Sequence, residues 1–163
     1  MIICGYAGIG KSTAAKKIKG VVDLESTPFQ KDWETYARVA KHMSDQGYIV
    51  LLSCHHELRK KLIEKGIKYY VVFPHPEHKE DYRRRYEERG NTPEFIETQM
   101  SNWDKWVGYT LFWENEDGTH EENVIYLTTR ASGRVETLSD LLDDIIEYGN
   151  DLFSIISLDR KSV

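Results

Sequence analysis

Apolar and polar positions fall in blocks along this chain. Short, nearly continuous apolar runs alternate with longer stretches whose apolar residues recur at helical spacing. MIICGY opens as a strand, and residues 11–19 follow as a helix. VVDLE is a second, very short strand, and 32–46 a helix that Gly47 ends. YIVLLSC repeats the strand, followed by a helix over 57–65 closed by Gly66. IKYYVVF is the next strand, which Pro74 and Pro76 stop. NVIYLTT makes a fifth, with a helix over 136–148 after it. Strands that are apolar on both faces belong to parallel sheets covered on both sides. The pattern therefore predicts an α/β chain: a three-layer α/β/α sandwich around a five-stranded parallel sheet.

The length of 163 residues and hydrophobic content of 40% suit one domain over 1–163. No internal repeat, low-complexity segment or long linker divides it. Residues 76–107 are more charged and helical than the rest and are expected to project from the sheet. Residues 108–123, with ENEDGTHEEN, read as a loop or a small hairpin. Lys and Arg number 22 against 27 Asp and Glu, a net charge of −5 that disfavours wrapping long nucleic acid. Cys4 and Cys54 lie in or beside strand-like runs and are expected as buried thiols, not a disulfide. MIIC is too short for a signal-peptide core, and no apolar stretch approaches the roughly 20 residues that span a bilayer. The expectation is a soluble, cytoplasmic chain with no membrane partner. Monomer and homodimer are equally compatible with it, and the tail NDLFSIISLDRKSV has enough apolar residues to dock on the domain or a partner.

The stretch GYAGIGKS, Gly5 to Ser12, changes the picture. It fits G-x-x-x-x-G-K-[ST], and it lies where the motif has physical meaning, after a strand and before a helix. Gly5, Gly8 and Gly10 let the backbone bend until N–H groups, those of Ile9 and Thr13 included, converge on an anion at the helix start. Lys11 would reach β- and γ-phosphates, and Ser12 would hold Mg²⁺ through its hydroxyl.

With this turn the chain resembles the P-loop kinases of the nucleoside monophosphate kinase superfamily, and it is similar to short ATP-binding proteins of that type in phage and bacterial genomes. The resemblance covers most of the chain and implies the P-loop NTPase fold with a helical lid at about 76–107. In VVDLES, Asp23 and Glu25 end the second strand. Similar shikimate and gluconate kinases use an acidic residue there to bind or activate an acceptor hydroxyl; the bland alternative is a turn cap before Pro28. In YRRRYEERG, Arg85 and Arg89 are four apart and share a helix face. The resemblance implies that they swing over the transferring phosphoryl group, whereas pairs such as Arg84 with Glu88 would merely lace a solvated helix. Ser53 ends the third strand where P-loop ATPases often carry a metal-holding aspartate, which argues against a motor or switch. The lack of an N-K-x-D motif argues against a GTPase. His55 and His56 are adjacent and diverge, so they read as solvent or acceptor-pocket residues and not as a metal pair. In similar kinases the loop after the fifth strand borders adenine, which implicates Arg130. Trp103, Trp106, Tyr109, Phe112 and Trp113 read first as packing under the lid.

The resulting expectation is an ATP- and Mg²⁺-dependent phosphotransferase. Lys11, Asp23, Arg85 and Arg89 carry the chemistry, and Ser12 holds the metal. Asp23, Glu25, Arg38 and Arg59 receive a small-molecule acceptor between the second and third strand tips. A nucleotide or nucleoside is favoured over a hydroxyl acceptor such as a small metabolite or hydroxymethylated base. A nucleotide-binding regulator, with no acceptor-stimulated turnover, is the alternative of another class.

Overall fold

A computed structural model describes residues 1–108 and 123–149. Tyr109, Phe112, Trp113, the acidic ENEDGTHEEN stretch and the tail from Asn150 lie outside the described residues. The strands β1 (Ile2–Gly5), β2 (Val21–Asp23), β3 (Ile49–Ser53), β4 (Tyr70–Pro74) and β5 (Val124–Leu127) alternate with helices α1 (Lys11–Lys17), α2 (Trp33–Asp45), α3 (His56–Glu64), α4 (Lys79–Glu88), α5 (Pro93–Ser101) and α6 (Leu138–Tyr148). All strand pairs are parallel, in the order β2-β3-β1-β4-β5. Helix α1 packs with α6 and α2 with α3, the flanking layers that a three-layer α/β/α sandwich needs. The core holds Ile2, Ile3, Cys4, Val50, Leu51, Leu52, Val71, Val72 and Phe73, all essentially inaccessible. This is why these strands read as continuous apolar runs.

Glycine ends the helices by a shared mechanism. At the end of α2, the N–H of Gly47 donates to Ser44 O and that of Tyr48 to Met43 O. The same pair of bonds closes α3 through Gly66 and Ile67, and α4 through Gly90 and Asn91. Each glycine has positive φ, so the last carbonyls are satisfied by a left-handed turn. One consequence shortens a strand. Ile67, predicted as the start of IKYYVVF, is consumed by the cap of α3, and β4 begins only at Tyr70.

The chain leaves β1 for β2 on one flank of the sheet, whereas β3 crosses over β1 to reach β4. Connections therefore diverge around β1, where an open α/β sheet forms a crevice at the carboxyl ends of its strands. In that register Gly5 sits beside Ser53 on one side and Val72 on the other. Residues 76–107 do not project from the sheet as expected. Tyr82 and Tyr86 of α4, Met100 of α5, Trp103 and Val107 are buried in the same core, and Trp103 Nε1 donates to Pro76 O at 2.9 Å. The tyrosines, four residues apart, put an aromatic stripe under the charged surface of α4, and its burial outweighs the exposed arginines. Among the described residues, no helix is long and apolar enough to cross a membrane.

Candidate active site

The turn from Gly5 to Ser12 has an asymmetric backbone. Its early carbonyls are all taken; that of Tyr6 accepts from the Ile9 amide at 3.3 Å, so the Ile9 N–H does not join the anion-facing set expected of it. Lys11 Nζ donates to Gly5 O at 2.7 Å, Tyr86 Oη to Ala7 O at 2.8 Å, Arg85 Nη1 to Gly8 O at 3.1 Å, and the Leu138 amide to Ile9 O at 2.9 Å. Among the described residues, the amides of Gly8, Gly10, Lys11, Ser12 and Thr13 donate to no protein acceptor. Gly8, Gly10 and Lys11 are half-buried and Ser12 and Thr13 exposed, and a cluster of unpaired amides at a turn favours an anion. Two glycines make the turn possible, Gly8 at φ 88° and Gly10 at φ 102°. A β-carbon added at Gly8 would also lie 2.8 Å from Tyr86 Cε1, so α4 rests directly on the turn.

The side chains that converge here come from distant parts of the chain. Lys11 is half-buried at the start of α1, and burial holds its ammonium below the ordinary lysine pKa. The charge of Arg89 pushes it in the same direction, whereas Asp23 opposes the shift. Arg85 lies over the Tyr82 ring, 4.5 Å from its centroid, with its fork on Gly8 O. Arg85 thus reaches the turn, whereas Arg89, exposed at the end of α4, bears on it only through its charge. Their neighbours do neither: Arg83 pairs with Glu80 and Arg84 with Asp81 on the surface, the latter in place of the expected Glu88. Ser12 Oγ donates to Asp23 Oδ2 at 3.2 Å, so the carboxylate at the end of β2 lies against the hydroxyl assigned to the metal.

A cavity of about 630 Å³ opens beside the turn, within the range typical of small-ligand sites. Gly5, Tyr6, Ala7 and Lys11 form one wall, and the end of β3 with the start of α3, from Ser53 to Glu57 together with Arg59, forms another. Phe73, Phe95, Gln99, Lys105 and Trp106 complete it. The Arg59 guanidinium is buried over the Phe73 ring at 5.6 Å. His55 stacks on Trp33 with ring centroids 5.0 Å apart, and burial lowers its pKa. Both cysteines are free thiols, Cys4 buried as expected and Cys54 partly exposed on the cavity wall.

The acceptor group expected between the second and third strand tips is dispersed. Arg59 lines the cavity, but the cavity lies among the ends of β1, β3 and β4. Asp23 faces Ser12, and Glu25 and Arg38 are exposed and absent from the cavity wall. The physical reason is strand order: β2 is an edge strand, separated from β1 by β3. Arg130, expected near adenine, pairs with Glu136 at 3.1 Å and Asp144 at 2.8 Å, binding its loop to α6. That loop still abuts the turn, through Leu138 and Ile9. Tyr86, Phe95, Gln99 and Lys105 have no motif to announce them. Their only sequence signals are the four-residue spacings of Tyr82 with Tyr86 and Phe95 with Gln99. No group of three or more His, Cys, Asp or Glu among the described residues could hold a metal ion.

No protein-family model matches this chain, and no curated protein matches it at significant similarity. What the site does has to be argued from its own geometry.

Proposed function

We propose that the chain is a P-loop kinase, transferring the γ-phosphoryl group of Mg·ATP to a nucleotide or nucleoside held in the adjoining cavity. One observation carries this reading: a turn whose carbonyls are occupied and whose amides at Gly8 and from Gly10 to Thr13 are unclaimed, opening on a cavity that combines a buried guanidinium with aromatic walls. Such a turn fits a polyphosphate chain. Mg·ATP, when bound, supplies the phosphoryl group and its leaving group. Lys11 and the amides of Gly8 and of Gly10 to Thr13 hold the β- and γ-phosphates. Ser12 and Asp23 hold the metal side; Mg²⁺ commonly needs only one or two protein ligands beside phosphates and water. Arg85 and Arg89 offset the charge of the transferring group, as guanidinium forks suit phosphate oxygens. Arg59 holds the acceptor's anionic end. A phosphate acceptor brings an ionised oxygen, so the new P–O bond forms as the bond to ADP breaks, and no base is required.

A hydroxyl acceptor would need a base, and Glu57 is the one carboxylate among the described cavity walls. ADP release across nucleotides, nucleosides and polyols tests both forms. With Lys11→Ala, turnover should fall by about two to three orders of magnitude. Glu57→Gln should spare phosphate acceptors and abolish transfer to hydroxyls. No acceptor-stimulated ADP release with any compound would overturn the kinase and favour a nucleotide-binding regulator.

A further inference from the structure

Helix α5 presents Phe95 and Gln99 one turn apart to the same cavity, with Trp106 and Lys105 beside them. The Gln99 amide has a defined orientation there. Tyr6 Oη donates to Gln99 Oε1 at 2.9 Å. Tyr6 is itself locked, 5% exposed, edge-on to Trp103 at 5.9 Å and tilted against Phe73 at 5.7 Å. A phenol has one proton to give, and this one is committed to the amide oxygen. The oxygen of Gln99 is therefore turned toward Tyr6. What the amide has left for the cavity is its NH₂ group, which only donates. The ammonium of Lys105 also only donates.

Resting on the nucleotide-acceptor reading above, we propose that Gln99, oriented by Tyr6, selects acceptors whose base carries a carbonyl on the edge far from the sugar. Such bases are thymine, uracil and guanine. Phe95 and Trp106 offer the rings against which a base stacks, and Arg59 offers the cationic end for its phosphate. An adenine or cytosine in the same pose would set its exocyclic amine against the Gln99 amine. Donor would face donor, and both groups would stay unpaired in a partly desolvated site, the situation that polar pockets discriminate against most strongly.

The test is calorimetric binding of the five common nucleoside monophosphates without ATP, which reads base selection independently of catalysis. Wild type should bind the carbonyl bases at least about tenfold more tightly than adenine and cytosine. Gln99→Glu, which replaces the NH₂ by an acceptor, should reverse the order. Gln99→Leu should level it. Tyr6→Phe, which releases the amide to flip, should narrow the discrimination while retaining binding. Equal affinity for all five in wild type, no measurable binding of any, or a preference that Gln99→Glu leaves intact would overturn the assignment. ADP release with the same five compounds decides the kinase reading separately. Selective binding without turnover would sink the kinase and keep the base selection, and turnover without selectivity would do the opposite.

Discussion

Gly8 and Gly10 both adopt positive φ, yet their surroundings differ. A β-carbon at Gly10 meets nothing within 4 Å, whereas at Gly8 it strikes the Tyr86 ring. Gly10→Ala should therefore cost about 1–2 kcal/mol, the backbone term alone, and Gly8→Ala clearly more; urea denaturation of the two variants compares them. Lys11 carries a second residue-scale expectation. Burial lowers its pKa in the folded state, so between that lowered value and the ordinary alkaline one the unfolded chain binds the proton and the folded chain releases it. Stability attributable to Lys11 then rises with pH through that window. Lys11→Met should melt no lower than wild type at pH about 7 while losing nucleotide binding, and the wild type should gain on the variant as pH approaches about 10. A variant that melts well below wild type at neutral pH would show that the bond to Gly5 O outweighs the buried charge.

The elements depend on contacts at their ends. Helix α6 begins with a capping box in which Thr137 and Asp140 bond reciprocally, and Arg134 forks onto the same carboxylate at 2.8 and 3.0 Å. The Arg134 bonds, more than those from Thr137, hold Asp140 well below the usual carboxylate range. Its stabilisation is thus complete above the unfolded pKa near 4 and is lost as pH falls below it. Asp140→Asn should lower the urea midpoint at neutral pH, and its deficit relative to wild type should shrink in acid. Helix α4 is held to the phosphate turn by Tyr86, so Tyr86→Phe should cost about 1 kcal/mol for the lost bond to Ala7 O. Faster amide exchange in α4 should accompany it. That docking was only partly legible in the sequence. Four arginines in YRRRYEERG advertise a charged helix, and the two tyrosines that bury it are visible only as a spacing of four. Gly47 and Gly66, by contrast, were legible as helix ends, because a left-handed cap is a local requirement.

At the scale of the whole molecule, the sheet brings the Gly5–Ser12 turn, the end of β3 and the helices after β4 to one edge, so a ligand bound there would be linked to folding. Mg·ATP at a hundred times its Kd should stabilise the chain by about 2.7 kcal/mol, a rise of roughly 5–10 °C in Tm. Lys11→Ala should abolish the shift, and an unshifted wild type would refute the phosphate site. The amino-acid sequence by itself determined the α/β class, the parallel sheet and the glycine turn from Gly5 to Ser12. Each of these rests on periodicity or on eight consecutive residues, which act over distances the local chain controls. It did not determine the cavity beside that turn. Asp23, Glu25, Arg38 and Arg59 look like one group along the chain, but the position of β2 at the sheet edge separates them. The pocket's walls come instead from β1, β3, β4 and α5, and Tyr6 meets Gln99 across 93 positions. Contacts of that span are chosen by strand order and core packing, which exist only once the chain has folded.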